Sequence, residues 1–244
     1  MSALVHAEAM GVSFQLDRMQ RVTTPAVARL RRRVETVWGL RGLDLTLEPG
    51  DGVAVVGSSG SGKTTLLRTM AGVLAPDEGR IEVRGRIGSL LSTEAGLVWS
   101  LSGRENCDLL GVLGGLSARE TRSRLDWMKE RSGVGEAFDR PVSTYSQGML
   151  ARLGFAVAEC LHPQLLLLDE VHEALDHEFR ALVEARAAEI VAGGGIVVAT
   201  GHDHELLGRL CDRALWLEGG RVCEYGDFED IVAAYVGGSA HSGP

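Results

Sequence analysis

Residues 57–65 read Gly-Ser-Ser-Gly-Ser-Gly-Lys-Thr-Thr, and no other stretch restricts the fold as strongly. The run fits G-x-x-x-x-G-K-[ST], with Gly57, Gly62, Lys63 and Thr64 at the fixed places. Such a loop needs a strand before it and a helix after it. Its glycines turn successive N–H groups inward around a polyphosphate, and the helix presents its positive end to the same anion. Ser58, Ser59, Gly60, Ser61 and Thr65 complete the candidate nucleotide-binding loop. Lys63 supplies a full charge to the β- and γ-phosphates of ATP, and the Thr64 hydroxyl suits Mg²⁺. The flanks meet the requirement. Gly52-Val-Ala-Val-Val56 reads as a short buried strand, and residues 64–71 have helical spacing.

A second segment answers the first. Residues 165–168 are four leucines, the continuous apolar run of a central parallel strand, and Asp169 and Glu170 follow at its C-terminal end. Ligands of parallel sheets lie at that end. Asp169 is therefore a candidate for the Mg²⁺ shell, and Glu170 for the base that polarises a water for attack on the γ-phosphate.

The remaining pattern is that of alternating strands and helices. Residues 43–47 alternate like a half-buried strand, residues 81–83 and 87–91 read as short strands, and residues 196–200 as a buried one. Residues 214–217 and 221–225 finish the sheet. Between 103 and about 133 the chain is helical and charged, which predicts a helical insertion. Residues 179–191 form a helix closed by Gly193-Gly-Gly195. The expected layout is a single domain over 1–244. Its catalytic core takes about 43–102 and 160–236, its helical subdomain about 103–159, and a disordered tail 237–244.

Charge and cysteine usage narrow the setting. The formal net charge is −8, so the basic excess of nucleic-acid binders is missing. Cys107, Cys160, Cys211 and Cys223 form no C-x-x-C pair, which suits a reducing cytoplasm. The first ten residues lack a basic start and carry Glu8, unlike a signal peptide. The most apolar stretch, 153–171, contains Glu159, His162, Pro163, Asp169 and Glu170, unlike a lipid span.

Three further segments carry a family resemblance. Tyr145-Ser-Gln-Gly-Met149 resembles the Leu-Ser-Gly-Gly-Gln signature of ABC ATPases, and Ser146 stands 23 positions before Asp169. Ala174-Leu-Asp176 resembles their D-loop, and Gly201-His202 their switch histidine. The resemblance covers nearly the whole chain. It implies an α/β phosphate-loop NTPase core with a small antiparallel β subdomain and a helical subdomain. It also implies a head-to-tail homodimer in which each ATP lies between the loop of one subunit and Ser146 and Gly148 of the other. His202 would then meet the γ-phosphate in its own subunit.

Ser102-Gly-Arg-Glu-Asn106, Tyr145-Ser-Gln-Gly-Met-Leu-Ala-Arg-Leu-Gly-Phe-Ala156 and Val232-Ala-Ala-Tyr235 look like the polysaccharide-export branch. That branch moves O-antigen, capsule, teichoic acid or galactan chains on lipid carriers. The resemblance implies integral-membrane permease partners and a peripheral place on the cytoplasmic face of the membrane. Alternatives are an ABC ATPase for a drug, peptide or lipid, a non-transport ABC protein, and a nucleotide-gated scaffold. Long coiled coils or a second ATPase domain are missing, and intact Lys63, Asp169, Glu170 and His202 speak against the scaffold.

The N-terminal region, about 18–40, reads as an inserted helix. Val27, Leu30, Val34 and Val37 make an apolar stripe at helical spacing, with Arg29, Arg31, Arg32 and Arg33 beside it. The resemblance implies a helix near the membrane surface that touches a lipid-linked pyrophosphate, a task suited to bidentate arginine. A solvated amphipathic helix packed on the sheet is the plainer reading. The chain also departs from the family. No glutamine lies between Gln20 and Gln147, so the usual γ-phosphate-sensing Gln is missing, and Glu94 is the candidate substitute. Phe14 and Trp38 are both candidates for stacking on adenine.

Overall fold

The computed structural model describes residues 4–18, 33–91, 96–170 and 175–239. Nine strands and seven α-helices occur among them, in two sheets and a helical lobe.

The larger sheet holds the short apolar strands. Its order is β5 (Ile87–Leu90), β6 (Leu165–Asp169), β7 (Ile196–Thr200), β3 (Gly52–Val56), β8 (Arg213–Glu218) and β9 (Arg221–Asp227). All neighbours are parallel except the β8–β9 hairpin. Every residue of β3, β6 and β7 is buried. Strands covered on both faces have no solvent side to mark with polar residues, hence their unbroken Val, Leu and Ile runs. Helix α1 (Lys63–Met70) lies on one face. The second sheet closes over that face in the antiparallel order β2 (Arg33–Leu47), β1 (Leu4–Arg18), β4 (Glu78–Arg84). Met10, Leu40, Leu43, Leu47, Leu66, Leu67 and Leu165 meet in the core between the two layers.

The opposite face is covered by α5 (His177–Ala192), α6 (His204–Leu210), α7 (Phe228–Ser239) and the last helix of the helical lobe. That lobe comprises α2 (Gly103–Leu113), α3 (Ala118–Ser132) and α4 (Gln147–Cys160) around Phe138, Met128, Leu150 and Leu153. The helix starts are written locally. Ser102 with Glu105, and Ser117 with Glu120, form reciprocal capping boxes, and Gly133 ends α3 in a left-handed conformation.

Two expectations are corrected. The helix expected over 18–40 is not present where the chain is described. β1 runs on to Arg18, and β2 begins at Arg33, with Phe14 opposite Val37 and Arg18 opposite Arg33. Val34, Thr36, Val37 and Trp38 are β-branched or aromatic, and a partner strand outweighs a four-residue helical stripe. Val27, Leu30, Arg29, Arg31 and Arg32 lie outside the described residues. Residues 237–239, expected in a disordered tail, belong to α7, which continues to Ser239; residues 240–244 lie outside the described residues. No described helix is long and apolar enough to cross a membrane.

Candidate nucleotide site

β3 ends at Val56 and α1 begins at Lys63, so the loop spans the C-terminal edge of the sheet. Gly57 has φ 150°, and a Cβ there would overlap the Leu217 carbonyl oxygen. Gly62 has φ 109°, and its Cβ would lie 2.5 Å from the Gly39 carbonyl oxygen. Both positions exclude a side chain, which keeps the backbone amides accessible. Lys63 Nζ donates to the carbonyl oxygens of Gly57 at 2.8 Å and Ser58 at 3.1 Å, so its charge stays inside the loop. The β8–β9 turn supports the loop from behind. Gly220 N–H donates to Ser61 O, and Ser58 Oγ donates to Glu218 Oε1 at 2.6 Å.

The acids arrive on the next-but-one strand. Asp169 is nearly buried and accepts from Thr200 Oγ1 at 2.6 Å. Glu170 follows with φ 57°, a left-handed conformation uncommon for a residue bearing a side chain. Its N–H donates to Thr200 O at 3.0 Å, and its Oε1 lies 3.2 Å from His202 Nε2.

Loop, acid and histidine converge on one cavity of about 450 Å³. Ser59, Gly60, Gly62, Lys63, Thr64 and Thr65 line it from the loop, facing Glu170 and His202. Phe14 and Trp38 both line its far wall, with Val37 and Gly39 between them. The two rings differ in surroundings. Phe14 lies over Gly39, where an added Cβ would sit 2.7 Å from its Cε2, and beside Thr65. Trp38 packs against Gly11 and carries the Arg41 guanidinium 5.3 Å from its ring centre. Val37 and Gly39 escaped sequence reasoning as site residues, because 18–40 read as a helix; the signal for Gly39 is a glycine beside β-branched and aromatic residues, which marks close approach once the segment is taken as a strand. Thr200 escaped as well, because nothing local marks it.

Ser146 and Gly148 stand elsewhere. Ser146 caps α4, accepting from Met149 N–H at 3.3 Å, with Ser146 exposed and Gly148 partly so. Tyr145 is buried, its hydroxyl donating to Ala137 O at 2.6 Å, and burial pushes its pKa up to about 12. Farther along, Asp176 caps α5 and lies 3.6 Å from Arg152 of α4. Glu94 and Ala174 lie outside the described residues.

The donor set suits a nucleotide with magnesium. Collision-free space for backbone amides, an enclosed lysine and an adjacent acid fit a polyphosphate. Among the described residues no three His, Cys, Asp or Glu could hold a metal. That is compatible with Mg²⁺, which is bound through one or two protein oxygens plus substrate phosphates rather than a protein cage.

Fold and loop together define the phosphate-loop nucleotide-binding class. Comparison with known proteins agrees. A family model described as ABC transporter matches residues 40–173. The O-antigen export system ATP-binding protein RfbB of Myxococcus xanthus is 37% identical over 207 residues, covering 85% of this chain and 47% of that protein. RfbB of Klebsiella pneumoniae is 36% identical over 193 residues, covering 79% and 78%. The teichoic acids export ATP-binding protein TagH of Lactococcus lactis is 34% identical over 198 residues, covering 81% and 42%. The chain thus spans about half the length of the Myxococcus and Lactococcus relatives. Among solved structures, the dimeric ATP-binding cassette MJ0796 bound to ADP and Pi superposes with a TM-score of 0.73 at 22% identity, covering 92% of this chain and 98% of that one. The chain belongs to the ABC transporter family, and the relatives named above are ATP-binding proteins of O-antigen and teichoic acid export systems.

Proposed function

We propose that this chain is the ATP-hydrolysing motor of an exporter for a lipid-linked polysaccharide or glycopolymer. The carrying observation is the convergence of Lys63, Glu170 and His202 on one cavity at the C-terminal strand edge. Gly57, Ser58, Ser59, Gly60, Ser61, Gly62, Lys63, Thr64 and Thr65 cradle the phosphates, and Phe14 stacks on the adenine with Trp38 behind it. Thr64 and Asp169 would hold Mg²⁺, which would screen the phosphate charge. Glu170 takes a proton from the attacking water as its oxygen closes on the γ-phosphorus, while the bond to the β-phosphate oxygen breaks and ADP leaves. His202 keeps Glu170 turned toward that water and meets the γ-phosphate. Both side chains are partly exposed, which leaves room for the water.

Ser146 is exposed and Gly148 partly exposed at a helix start, which supports a second copy of the chain that completes the site. An ATP shared by two subunits couples nucleotide to closure, and hydrolysis reopens the dimer. A membrane permease is the further partner, with the chain on the cytoplasmic face. An apolar groove of about 290 Å³ supports this, lying where the helical lobe meets the core and lined by Leu91, Leu97, Leu110, Leu113 and Leu161. Leu113 and Val73 at its rim are 72% and 65% exposed, which suits an apolar partner segment.

The dimer reading is tested with Glu170→Gln. The variant binds ATP, loses turnover and elutes as a dimer in size-exclusion chromatography with ATP. A variant that hydrolyses normally and remains monomeric sinks the assignment. The lipid-linked substrate reading rests on the arginine run Arg29, Arg31, Arg32 and Arg33 in the sequence between β1 and the start of β2. Replacing all four by glutamine lowers export in cells and leaves the ATPase rate of the isolated protein unchanged. Equal loss of both would make the arginines structural.

A further inference from the structure

We infer that Thr200 is a positioning residue that fixes how Asp169 faces the magnesium. The inference rests on the assignment of Asp169 to the magnesium shell.

The geometry comes from strand register. β6 and β7 run parallel with Asp169 opposite Thr200, so the last residue of one strand stands beside the last residue of the other. Thr200 is fully buried and Asp169 is 7% exposed. The Thr200 hydroxyl donates to Asp169 Oδ1 at 2.6 Å. One carboxylate oxygen is thereby tied to the sheet, and in the inferred arrangement the other, Oδ2, is the one that takes the cation. A hydroxyl suits this better than a lysine or arginine would. It orients the carboxylate without neutralising it, so the full negative charge remains for the metal. Threonine is also stiff at χ1, so the strand itself sets the donor direction. The same residue serves the second acid through its backbone. Its carbonyl accepts the Glu170 N–H at 3.0 Å and so holds Glu170 at φ 57°. Substituting the side chain removes the first function and keeps the second.

Partners one step behind a metal ligand are worth roughly 10- to 100-fold in metal affinity. The test measures binding of a fluorescent ATP analogue to the whole chain, first in EDTA and then across a Mg²⁺ titration. Thr200→Val keeps the shape and removes the donor. Its affinity in EDTA stays within about twofold of the parent, while the half-saturating Mg²⁺ concentration rises roughly 10- to 100-fold. Thr200→Ser, which restores a hydroxyl, brings the Mg²⁺ response back. An unchanged Mg²⁺ curve for Thr200→Val overturns the inference. So does a loss of affinity that is equal with and without Mg²⁺, or a serine variant that behaves like valine. If the valine variant does not fold, Thr200→Ala against Thr200→Ser carries the same comparison. A parent protein whose nucleotide binding ignores Mg²⁺ removes the Asp169 assignment itself, a result separate from any of these.

Discussion

Glu170 combines two features that ordinary strand ends avoid: a left-handed backbone and a carboxylate turned to a histidine 3.2 Å away. Strain of this kind costs on the order of 1–3 kcal/mol and persists where neighbours over-determine it, here through the Thr200 carbonyl. The identity of both acids was legible in the sequence, because a run of four leucines ending in Asp-Glu states its own geometry. The adenine wall was not. Phe14 and Trp38 are 24 residues apart and could not be ranked from spacing. The Arg41 guanidinium lies over Trp38 whereas Phe14 lies beside Thr65, and on that ground Phe14 is proposed for the stack. Phe14→Ala should weaken ATP binding by about 1–3 kcal/mol, the range for a base on an aromatic ring. Trp38→Ala should weaken it less. Calorimetry that ranks the two the other way would assign the stack to Trp38.

At the scale of elements, the helical insertion over 103–133 was legible from its charged helical pattern, and the caps of α2 and α3 lie within four residues of each start. The arm at 33–40 was misread for the opposite reason. Its stripe of Val34 and Val37 fits a helix as well as a strand, and only the ladder to β1 decides. The junction between the helical lobe and the core shows a further non-local device. Glu159 of α4 is almost buried and takes a bidentate pair of bonds from Arg131 of α3 at 2.5 and 2.7 Å. Arg186 of α5 approaches the same carboxylate at 3.6 Å. One acid thus ties two lobe helices to a core helix. Glu159→Ala leaves Arg131 without its anion, whereas Arg186 keeps Glu189 at 2.7 Å, and should cost about 1.5–3 kcal/mol, the range for hydrogen bonds to a charged group. Urea unfolding measures it, and a loss below about 1 kcal/mol, the size of a surface pair, would mean the network is solvated.

Over the whole molecule, burial sorts residues that composition treats alike. Cys107 and Cys211 sit in different cores and Cys160 lies beside the first of them, while Cys223 is exposed on β9. Burial pushes the Cys107 thiol up to about 12, and raises Cys160 and Cys211 as well. A raised thiol pKa leaves little thiolate at pH 8, and burial blocks access to it. Maleimide should therefore modify Cys223 alone in the native protein and all four cysteines in denaturant, read by mass spectrometry. Native labelling of Cys107 or Cys211 would contradict the packing. The sequence by itself determined the phosphate loop, the strand-tip acids, the helix caps and the family, because each is a run of neighbouring residues whose chemistry needs no partner from afar. Tertiary structure alone decided that the arm at 33–40 is a strand, that Phe14 and Trp38 share one wall, and that Thr200 holds Asp169. These depend on β pairing between segments far apart along the chain, and the register of that pairing is set by the core that the two sheets enclose together.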